Sequence, residues 1–238
     1  MMIRLDKLLA DTGRYTRSDA HGLIRDGRAA VDGIPVSAPD AKVDAETQRV
    51  TIDGEPLFYS RFHYFMLDKP PDTLTATKDR RVSTVLDLLP PDIRRLGLFP
   101  VGRLDRDTTG LLLLTDDGDF AHRVISPKSG VEKLYSAEVE GILSETDVRA
   151  FAAGLTLADG TKCLPAVLAL TGGGGCLVTV MEGKYHQVKR MLASRGAPVK
   201  SLRRLSIGSL QIDETLGFGG FRELTEKEKI AVLAPSGC

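Results

Sequence analysis

Two carboxylates stand directly before a strongly apolar run. Asp105 and Asp107 precede four consecutive leucines, Leu111–Leu114, and Arg103 and Arg106 lie on either side of Asp105. Such a run belongs in a core, whereas charged side chains are seldom fully buried unless they are paired. A carboxylate held at the edge of a dry site can act as a nucleophile or as a general base. The spacing therefore indicates either a turn at the edge of the core or a carboxylate that does chemistry there.

Three interpretations of Asp105 follow from its neighbourhood. In the first it opens a calcium loop, because residues suited to an EF-hand follow at the required spacing: Asp105, Asp107, Thr109, Gly110 and Asp116. Against this, the twelfth position lacks the usual glutamate, and glycines and a proline occupy the segment where an entering helix should be. In the second, Asp105 is a turn residue paired with Arg103 or Arg106. In the third, it is catalytic.

Positive charge is concentrated in two regions although the chain is neutral overall, with 32 basic and 32 acidic residues. Residues 183–212 contain seven lysines and arginines and no acid. Four further arginines surround the second predicted helix: Arg14, Arg17, Arg25 and Arg28. A solvated helix face is the ordinary explanation of such a cluster. Concentrated positive potential also suits the phosphates of a nucleic acid.

The elements that must position these residues alternate too irregularly for a doubly wound parallel sheet, so we expect an α+β fold. Helical spacing and caps predict helices over residues 3–9, 19–27, 83–89, 144–155 and 185–196. Strand patterns occupy residues 28–36, 48–57, 64–71, 133–141, 176–183 and 202–212, and Asp32-Gly33 predicts a hairpin turn. We predict a small first domain over residues 1–59 and a larger second domain over 60–238.

The resemblance to a known family is carried by several ordered motifs. "GRLDRDTTGLLLLTDDG" (102–118) resembles the signature of pseudouridine synthases, and "DKPPDTLTA" resembles their early Lys-Pro motif, with Asp72 where glycine is usual. "KLYSAEVEG", "EGKYHQVKRML" and "LRRLSIGSLQI" resemble the later motifs of the RsuA branch, which modifies small-subunit ribosomal RNA. Residues 4–33 resemble the small RNA-binding domain of the S4 type.

This resemblance implies a fold, a reaction and a set of residues. The second domain would hold a central mixed, mainly antiparallel sheet flanked by helices. The enzyme would isomerise uridine to pseudouridine in ribosomal RNA without cofactor or metal. The resemblance to the small-subunit branch indicates 16S RNA as the substrate. Asp105 would be the essential carboxylate, Lys189 its cation and Tyr135 the platform for the base. The RNA contacts implied or suggested are Arg103, Arg106, Lys184, His186, Gln187, Arg190 and the four arginines at 14, 17, 25 and 28.

Two other functions stay open at this point. One is a synthase that acts on 23S ribosomal RNA, and the other is a non-catalytic RNA-binding protein that assists ribosome assembly. Naked ribosomal RNA and an assembling small-subunit particle are both open as the binding partner. Binding alone does not need a carboxylate facing phosphates, which favours the enzyme.

The composition and the cysteine spacing indicate the cellular compartment of the protein. No apolar stretch is long enough for a membrane span, and the first residues lack the apolar region of a signal peptide. The three cysteines, Cys163, Cys176 and Cys238, lack the spacing of a zinc site and suit a reducing compartment. We therefore expect a cytoplasmic protein with no membrane partner and no obligate protein partner.

Overall fold

The computed structural model describes residues 2–234, which form two compact units. The first unit comprises Met1–His63 together with Leu89–Leu98, and the second comprises Tyr64–Leu88 and Phe99–Cys238. The first unit is therefore built from two separate stretches of chain, which the boundary predicted between residues 59 and 60 does not anticipate. Cys238 lies outside the described residues.

The first unit packs helices and short strands around one apolar core. Its strands are β1 (Met2–Arg4), β2 (Ala29–Val31), β3 (Ile34–Pro35), β4 (Lys42–Asp44), β5 (Val50–Ile52) and β6 (Glu55–Pro56). Its helices are α1 (Leu5–Asp11), α2 (Arg17–Arg25) and α3 (Pro91–Arg94). β1 pairs with β4, and the other four strands form a sheet in the order β3-β2-β5-β6.

Local side-chain chemistry sets the turns and the helix start in this unit. The predicted hairpin at Asp32-Gly33 is confirmed, and Asp53-Gly54 makes a second one within a stretch for which we expected a single strand. Both aspartates adopt positive φ, 51° and 52°, as tight hairpin turns require. Helix α2 begins earlier than expected, because Thr16 forms a capping box with Asp19 and Ser18 lies inside the helix.

The second unit is built on a nine-stranded sheet. Its strands are β7 (Tyr64–Lys69), β8 (Phe99–Pro100), β9 (Thr109–Thr115), β10 (Lys133–Val139), β11 (Val167–Gly172), β12 (Gly175–Val180), β13 (Val199–Ile207), β14 (Leu210–Gln211) and β15 (Phe221–Glu223). Its helices are α4 (Gly118–Ile125), α5 (Glu145–Ala153), α6 (Gln187–Ala193) and α7 (Glu226–Leu233). The segment at Val85–Leu88, predicted as a helix, is a short 3₁₀ turn. Among residues 2–234 no helix has the length and apolarity to cross a membrane.

The sheet consists of two antiparallel halves joined by one parallel contact. Its order is β11-β12-β10-β13-β9-β7-β15, with β14 paired to β13 and β8 paired to β9. The parallel pair is β9 with β13, where Thr109 lies opposite Arg203 and Gly110 opposite Arg204. The predicted α+β class and the mixed, mainly antiparallel sheet are confirmed.

Strand β9 is the core strand that its leucines predict. All four residues of Leu111–Leu114 are buried, so the strand is covered on both faces. A cluster of aspartates after such a strand is typical of a solvated turn, which is how the sequence alone would interpret Asp116, Asp117 and Asp119. Instead, the Asp117 carboxylate accepts a hydrogen bond from the backbone N–H of Phe120 and caps helix α4, which the sequence analysis missed.

Gly110 lets β9 and β13 come together at the start of their contact. Its φ is +98°, and a Cβ atom there would lie 2.3 Å from the carbonyl oxygen of Arg204. Only glycine fits so close a backbone approach without strain. The parallel contact therefore depends on this residue, three positions after Asp107.

Candidate active site

Asp105 opens a four-residue turn whose entry is held by hydrogen bonds to the main chain. The Thr108 backbone N–H donates to the Asp105 carbonyl oxygen at 3.1 Å, which closes the turn. Just before it, the Thr75 hydroxyl donates to the Leu104 carbonyl oxygen at 2.7 Å and accepts from the Leu104 N–H at 3.2 Å. Both backbone groups of Leu104 are thus fixed one residue before the carboxylate.

The other support of the turn is Lys69, a fully buried lysine at the end of β7. Its Nζ donates to the carbonyl oxygens of Pro70 at 2.9 Å, Arg106 at 3.0 Å and Thr108 at 2.9 Å. Burial disfavours the charged ammonium and lowers the pKa of Lys69 to about 8. This residue is the lysine of the Lys-Pro motif, and its role, which the motif alone does not reveal, is to hold the backbone of the Asp105 turn.

Lys189 and His186 are the side-chain partners of the Asp105 carboxylate. Lys189 Nζ lies 3.2 Å from Asp105 Oδ2, and His186 Nε2 lies 3.4 Å from Asp105 Oδ1. Lys189 also donates to Asp107, and this hydrogen bond is the main reason why the pKa of Asp107 lies below its usual value. The Asp105 side chain remains 26% exposed, so it lies at the edge of the core and not within it.

Asp105 does lie in a turn, but its predicted pairing with a neighbouring arginine is wrong. Arg106 lies 3.3 Å from the Asp72 carboxylate instead, and Arg103 is exposed on the wall of the cleft that contains Asp105. Asp72 itself adopts a φ of +59°. It therefore takes the left-handed conformation that the usual glycine of the motif favours, so the turn survives the substitution.

The calcium-loop interpretation is inconsistent with the same geometry. The ammonium of Lys189 contacts both Asp105 and Asp107, and the later positions of the supposed loop belong to strand β9. Among residues 2–234, no group of three or more His, Cys, Asp or Glu side chains is arranged to hold a metal ion.

Helix α6 is shorter than predicted, and this changes the roles of its first residues. It begins at Gln187, after His186 in a left-handed conformation with φ of 48°. Tyr185 is therefore outside the helix and does not share a helix face with Lys189. The residue is 76% exposed, and its ring stacks on His186 with 3.8 Å between ring centroids.

Gln187 was expected to contact RNA, but its side chain serves the protein itself. The buried amide donates to the Glu182 carboxylate at 2.8 Å and accepts from the Lys184 backbone N–H at 2.9 Å. The Lys184 ammonium also contacts Glu182, at 2.7 Å. Gln187 therefore shapes the loop that leads into α6, and its polar atoms are already used.

Tyr135 lies on β10 opposite Arg204 on β13. Arg204 NH1 lies 3.4 Å from the Tyr135 hydroxyl, and its guanidinium carbon lies 6.0 Å from the centroid of the tyrosine ring. Arg204 Nε donates to the Leu111 carbonyl oxygen at 2.7 Å. This buried arginine, which the sequence analysis did not single out, connects the tyrosine to the core strand β9.

The cleft brings the three predicted catalytic residues together. Asp105, Tyr135 and Lys189 line one small open cleft. Six further predicted RNA-contacting residues belong to the same unit, including Arg106, which pairs with Asp72. Arg103, Lys184, His186 and Gln187 also line the cleft, whereas Arg190 pairs with Asp159.

The four predicted RNA-binding arginines of the first unit differ in their freedom. Arg14 and Arg25 are exposed on its surface. Arg17 lies 3.7 Å from the buried Asp6 carboxylate, and Arg28 forms a two-pronged ion pair with Asp53. The first three present their charge more freely than Arg28 does.

Comparison with known proteins identifies the class. The family model of RNA pseudouridylate synthase matches residues 63–194, which contain the Asp105 turn, Tyr135 and helix α6. The chain belongs to this family and is an RNA pseudouridine synthase.

Several similar proteins match this chain over nearly its whole length. The chain is 40% identical over 235 residues to ribosomal small subunit pseudouridine synthase A of Escherichia coli, which covers 97% of this chain and 100% of that protein. It is 43% identical over 230 residues to an uncharacterized RNA pseudouridine synthase of Bacillus subtilis, at 95% and 96% coverage. A crystal structure of a pseudouridylate synthase matches with a TM-score of 0.69 and 35% identity, covering 97% of this chain and 99% of that one.

Proposed function

We propose that the enzyme converts a specific uridine of small-subunit (16S) ribosomal RNA to pseudouridine and that Asp105 is the catalytic carboxylate. The observation that carries the proposal is the pairing of Asp105 with Lys189 in a cleft that also contains Tyr135. The names of the relatives favour the small-subunit RNA over other RNAs. The proposed compartment is the cytoplasm, where Cys163 and Cys176 would stay free thiols as they are in this structure.

The reaction requires little beyond a well-placed carboxylate. The bond between N1 of uracil and C1′ of ribose breaks, the base turns, and C5 joins C1′, while the proton on C5 is lost and N1 gains one. Atoms and redox state balance, so the step needs no external reductant or oxidant. Asp105 would act at the ribose or at C1′, as a base or as a nucleophile.

Lys189 would keep that carboxylate charged while the substrate excludes water. A carboxylate in a drying site tends to take up a proton, and a cation at 3.2 Å opposes this. Tyr135 would stack on the base after it leaves the helix of the RNA. Stacking of about 1–3 kcal/mol per base offsets part of a cost of a few kcal/mol for unstacking.

The surrounding basic residues would hold the phosphates that flank the target. Arg103, Arg106, Lys184 and His186 lie at or beside the cleft, and Arg190 follows Lys189 on the same helix. The first sixty residues would act as an S4-type RNA-binding domain through Arg14, Arg17 and Arg25, with a smaller part for Arg28. Phosphate contacts of this kind give affinity but little sequence information.

Asp105→Asn tests the proposal directly. The variant keeps the shape of the side chain and loses its charge, so we expect pseudouridine formation to fall by at least about a thousandfold while RNA affinity stays within about threefold. Asp119→Asn, an exposed aspartate in the first turn of α4, is the matched control and should keep full activity.

The assay should offer 16S and 23S ribosomal RNA separately and count pseudouridines in each. Activity confined to 23S RNA would support the alternative of a synthase that acts on large-subunit RNA and would contradict the proposed target. An Asp105→Asn protein with more than about a tenth of wild-type turnover would contradict the catalytic assignment. Binding without turnover by the wild-type protein would support the assembly-factor alternative.

A further inference from the structure

Thr108 carries an unusual polar group at the end of the Asp105 turn. Its residue is buried, and its hydroxyl oxygen has no hydrogen-bond partner within residues 2–234. Only one other buried side-chain atom there shares this property, an NH2 group of Arg204. Burying a hydroxyl without a partner costs folding free energy, so native proteins seldom do it without a reason.

The backbone of Thr108 is held at both ends, so its hydroxyl can move only by rotation of the side chain. The N–H group donates to the Asp105 carbonyl oxygen at 3.1 Å, and the carbonyl oxygen accepts from Lys69 Nζ at 2.9 Å. Strand β9 begins at the next residue. The main chain that carries this hydroxyl is thus placed as firmly as the Asp105 turn itself.

Thr108 also lines the cleft that contains Asp105, Tyr135 and Lys189. The unpartnered hydroxyl oxygen is shielded from solvent in the free protein, so rotation of the side chain about the Cα–Cβ bond is what would bring it to a bound substrate. Asp105 and Lys189 each offer only one kind of hydrogen bond: an ionised carboxylate only accepts, and an ammonium only donates. A hydroxyl does both.

We propose that the Thr108 hydroxyl binds the edge of the target uracil and holds the base during the reaction. This inference rests on the proposed function, because it assumes a uridine in the cleft. The edge of uracil presents both carbonyl oxygens, which accept, and an N–H group, which donates. A hydroxyl can pair with either kind of group, so it can hold the base before and after the base turns. Thr108 is then a positioning residue that gains its missing partner only when substrate binds.

This role predicts effects of opposite sign on stability and activity. Thr108→Val keeps the shape of the side chain and removes an unpaired hydroxyl, so the melting temperature of the free protein should stay the same or rise. The same change should lower kcat/KM by about tenfold or more, because the substrate loses a hydrogen bond inside a dry site. Thr108→Ser keeps the hydroxyl and should restore most of the activity.

Thr84→Val is the matched control. Thr84 is also buried, but its hydroxyl donates to the Asp87 carboxylate at 2.9 Å. Removal of that satisfied hydroxyl should lower the melting temperature and leave kcat/KM of the folded protein unchanged. The two valine variants should therefore show reversed patterns.

The experiment uses the full chain, thermal unfolding without RNA, and initial rates of pseudouridine formation in 16S and 23S ribosomal RNA. Thr108→Val with wild-type kcat/KM, or with a melting temperature lowered as in Thr84→Val, would overturn this inference while the proposed function stands. A wild-type protein that forms no pseudouridine in either RNA would overturn both. Reduced activity in Thr108→Val with recovery in Thr108→Ser and an undiminished melting temperature would support it.

Discussion

Lys189 serves two carboxylates at once. It lies 3.2 Å from Asp105 and donates a hydrogen bond to Asp107, two residues further along the same turn. Like charges so close repel each other unless a cation lies between them. The lysine therefore contributes to the shape of the turn as well as to the charge of the proposed catalytic group.

Lys189→Ala should lower kcat by about tenfold or more while KM changes by no more than about threefold, because the variant loses the cation that favours the charged carboxylate. Lys227→Ala, which removes an exposed lysine on α7, is the control for loss of one positive charge. Steady-state kinetics on ribosomal RNA give both constants. A raised KM with unchanged kcat would mean that Lys189 is a phosphate contact only.

For single residues, residue types and motifs predicted that Asp105, Tyr135 and Lys189 share one site. They did not predict the residues that support this site. Lys69, Thr75 and Arg204 act on main-chain carbonyl oxygens, and no residue pattern reveals which carbonyl a side chain will reach. Gln187 shows the opposite failure. A polar residue in a binding motif looks available until the structure pairs it with Glu182.

Among the elements, the parallel contact of β9 with β13 positions the site most directly. Asp105 and Asp107 precede β9, and Lys189 and helix α6 precede β13. Since the two strands are parallel, both begin at the same end of the sheet, and the segments that precede them meet there. The cleft forms at this end of the sheet. Gly110 is the residue that allows the two strands to approach each other.

Gly110→Ala should destabilise the protein by about 2–4 kcal/mol, because the added Cβ would lie 2.3 Å from a backbone oxygen at a φ that disfavours alanine. Urea unfolding measures the change. Gly118→Ala is the matched control, since Gly118 begins helix α4 with open space around it. That change should be neutral or stabilising by up to about 1 kcal/mol. Equal stabilities for the two variants would contradict the argument.

Elements defined by local chemistry were predictable, and those defined by distant partners were not. The Asp-Gly turn, the buried leucine strand and helix α5 follow from turn residues, apolar runs and a cap. The parallel pairing of β9 with β13 joins residues far apart in the sequence, so no window of sequence contains it. Helix α4 was not predicted because its capping residue, Asp117, stands among other acids, and such a group of acids is typical of a solvated turn.

For the whole molecule, charge distribution matters more than net charge. Basic and acidic residues are equal in number, so bulk attraction to RNA is absent and affinity must come from local basic faces. The first unit includes Leu89–Leu98, where a Cβ on Gly13 would lie 2.4 Å from the Asp92 carbonyl oxygen. Deletion of the first sixty residues would leave this stretch without its packing partners, so substitution tests RNA binding more cleanly.

Replacement of Arg14, Arg17, Arg25 and Arg28 by glutamine in the full chain should weaken binding to ribosomal RNA. The slope of log affinity against log salt should become shallower by about 0.7 for each phosphate that the protein no longer neutralises. Arg28→Gln alone should change the slope least, because Arg28 already pairs with Asp53. An Arg149→Gln, Lys227→Gln double variant controls for the reduced positive charge. An unchanged affinity and slope would show that these arginines do not bind RNA.

The clamp formed by Lys69 has a consequence for how enzymes of this kind can diverge. Its ammonium binds the carbonyl oxygens of Pro70, Arg106 and Thr108, and every amino acid supplies a carbonyl oxygen whatever its side chain. The hold on the turn is therefore indifferent to the residue at position 106, whose side chain is exposed. That position can be exchanged over evolutionary time to suit a different RNA while the carboxylate beside it stays in place.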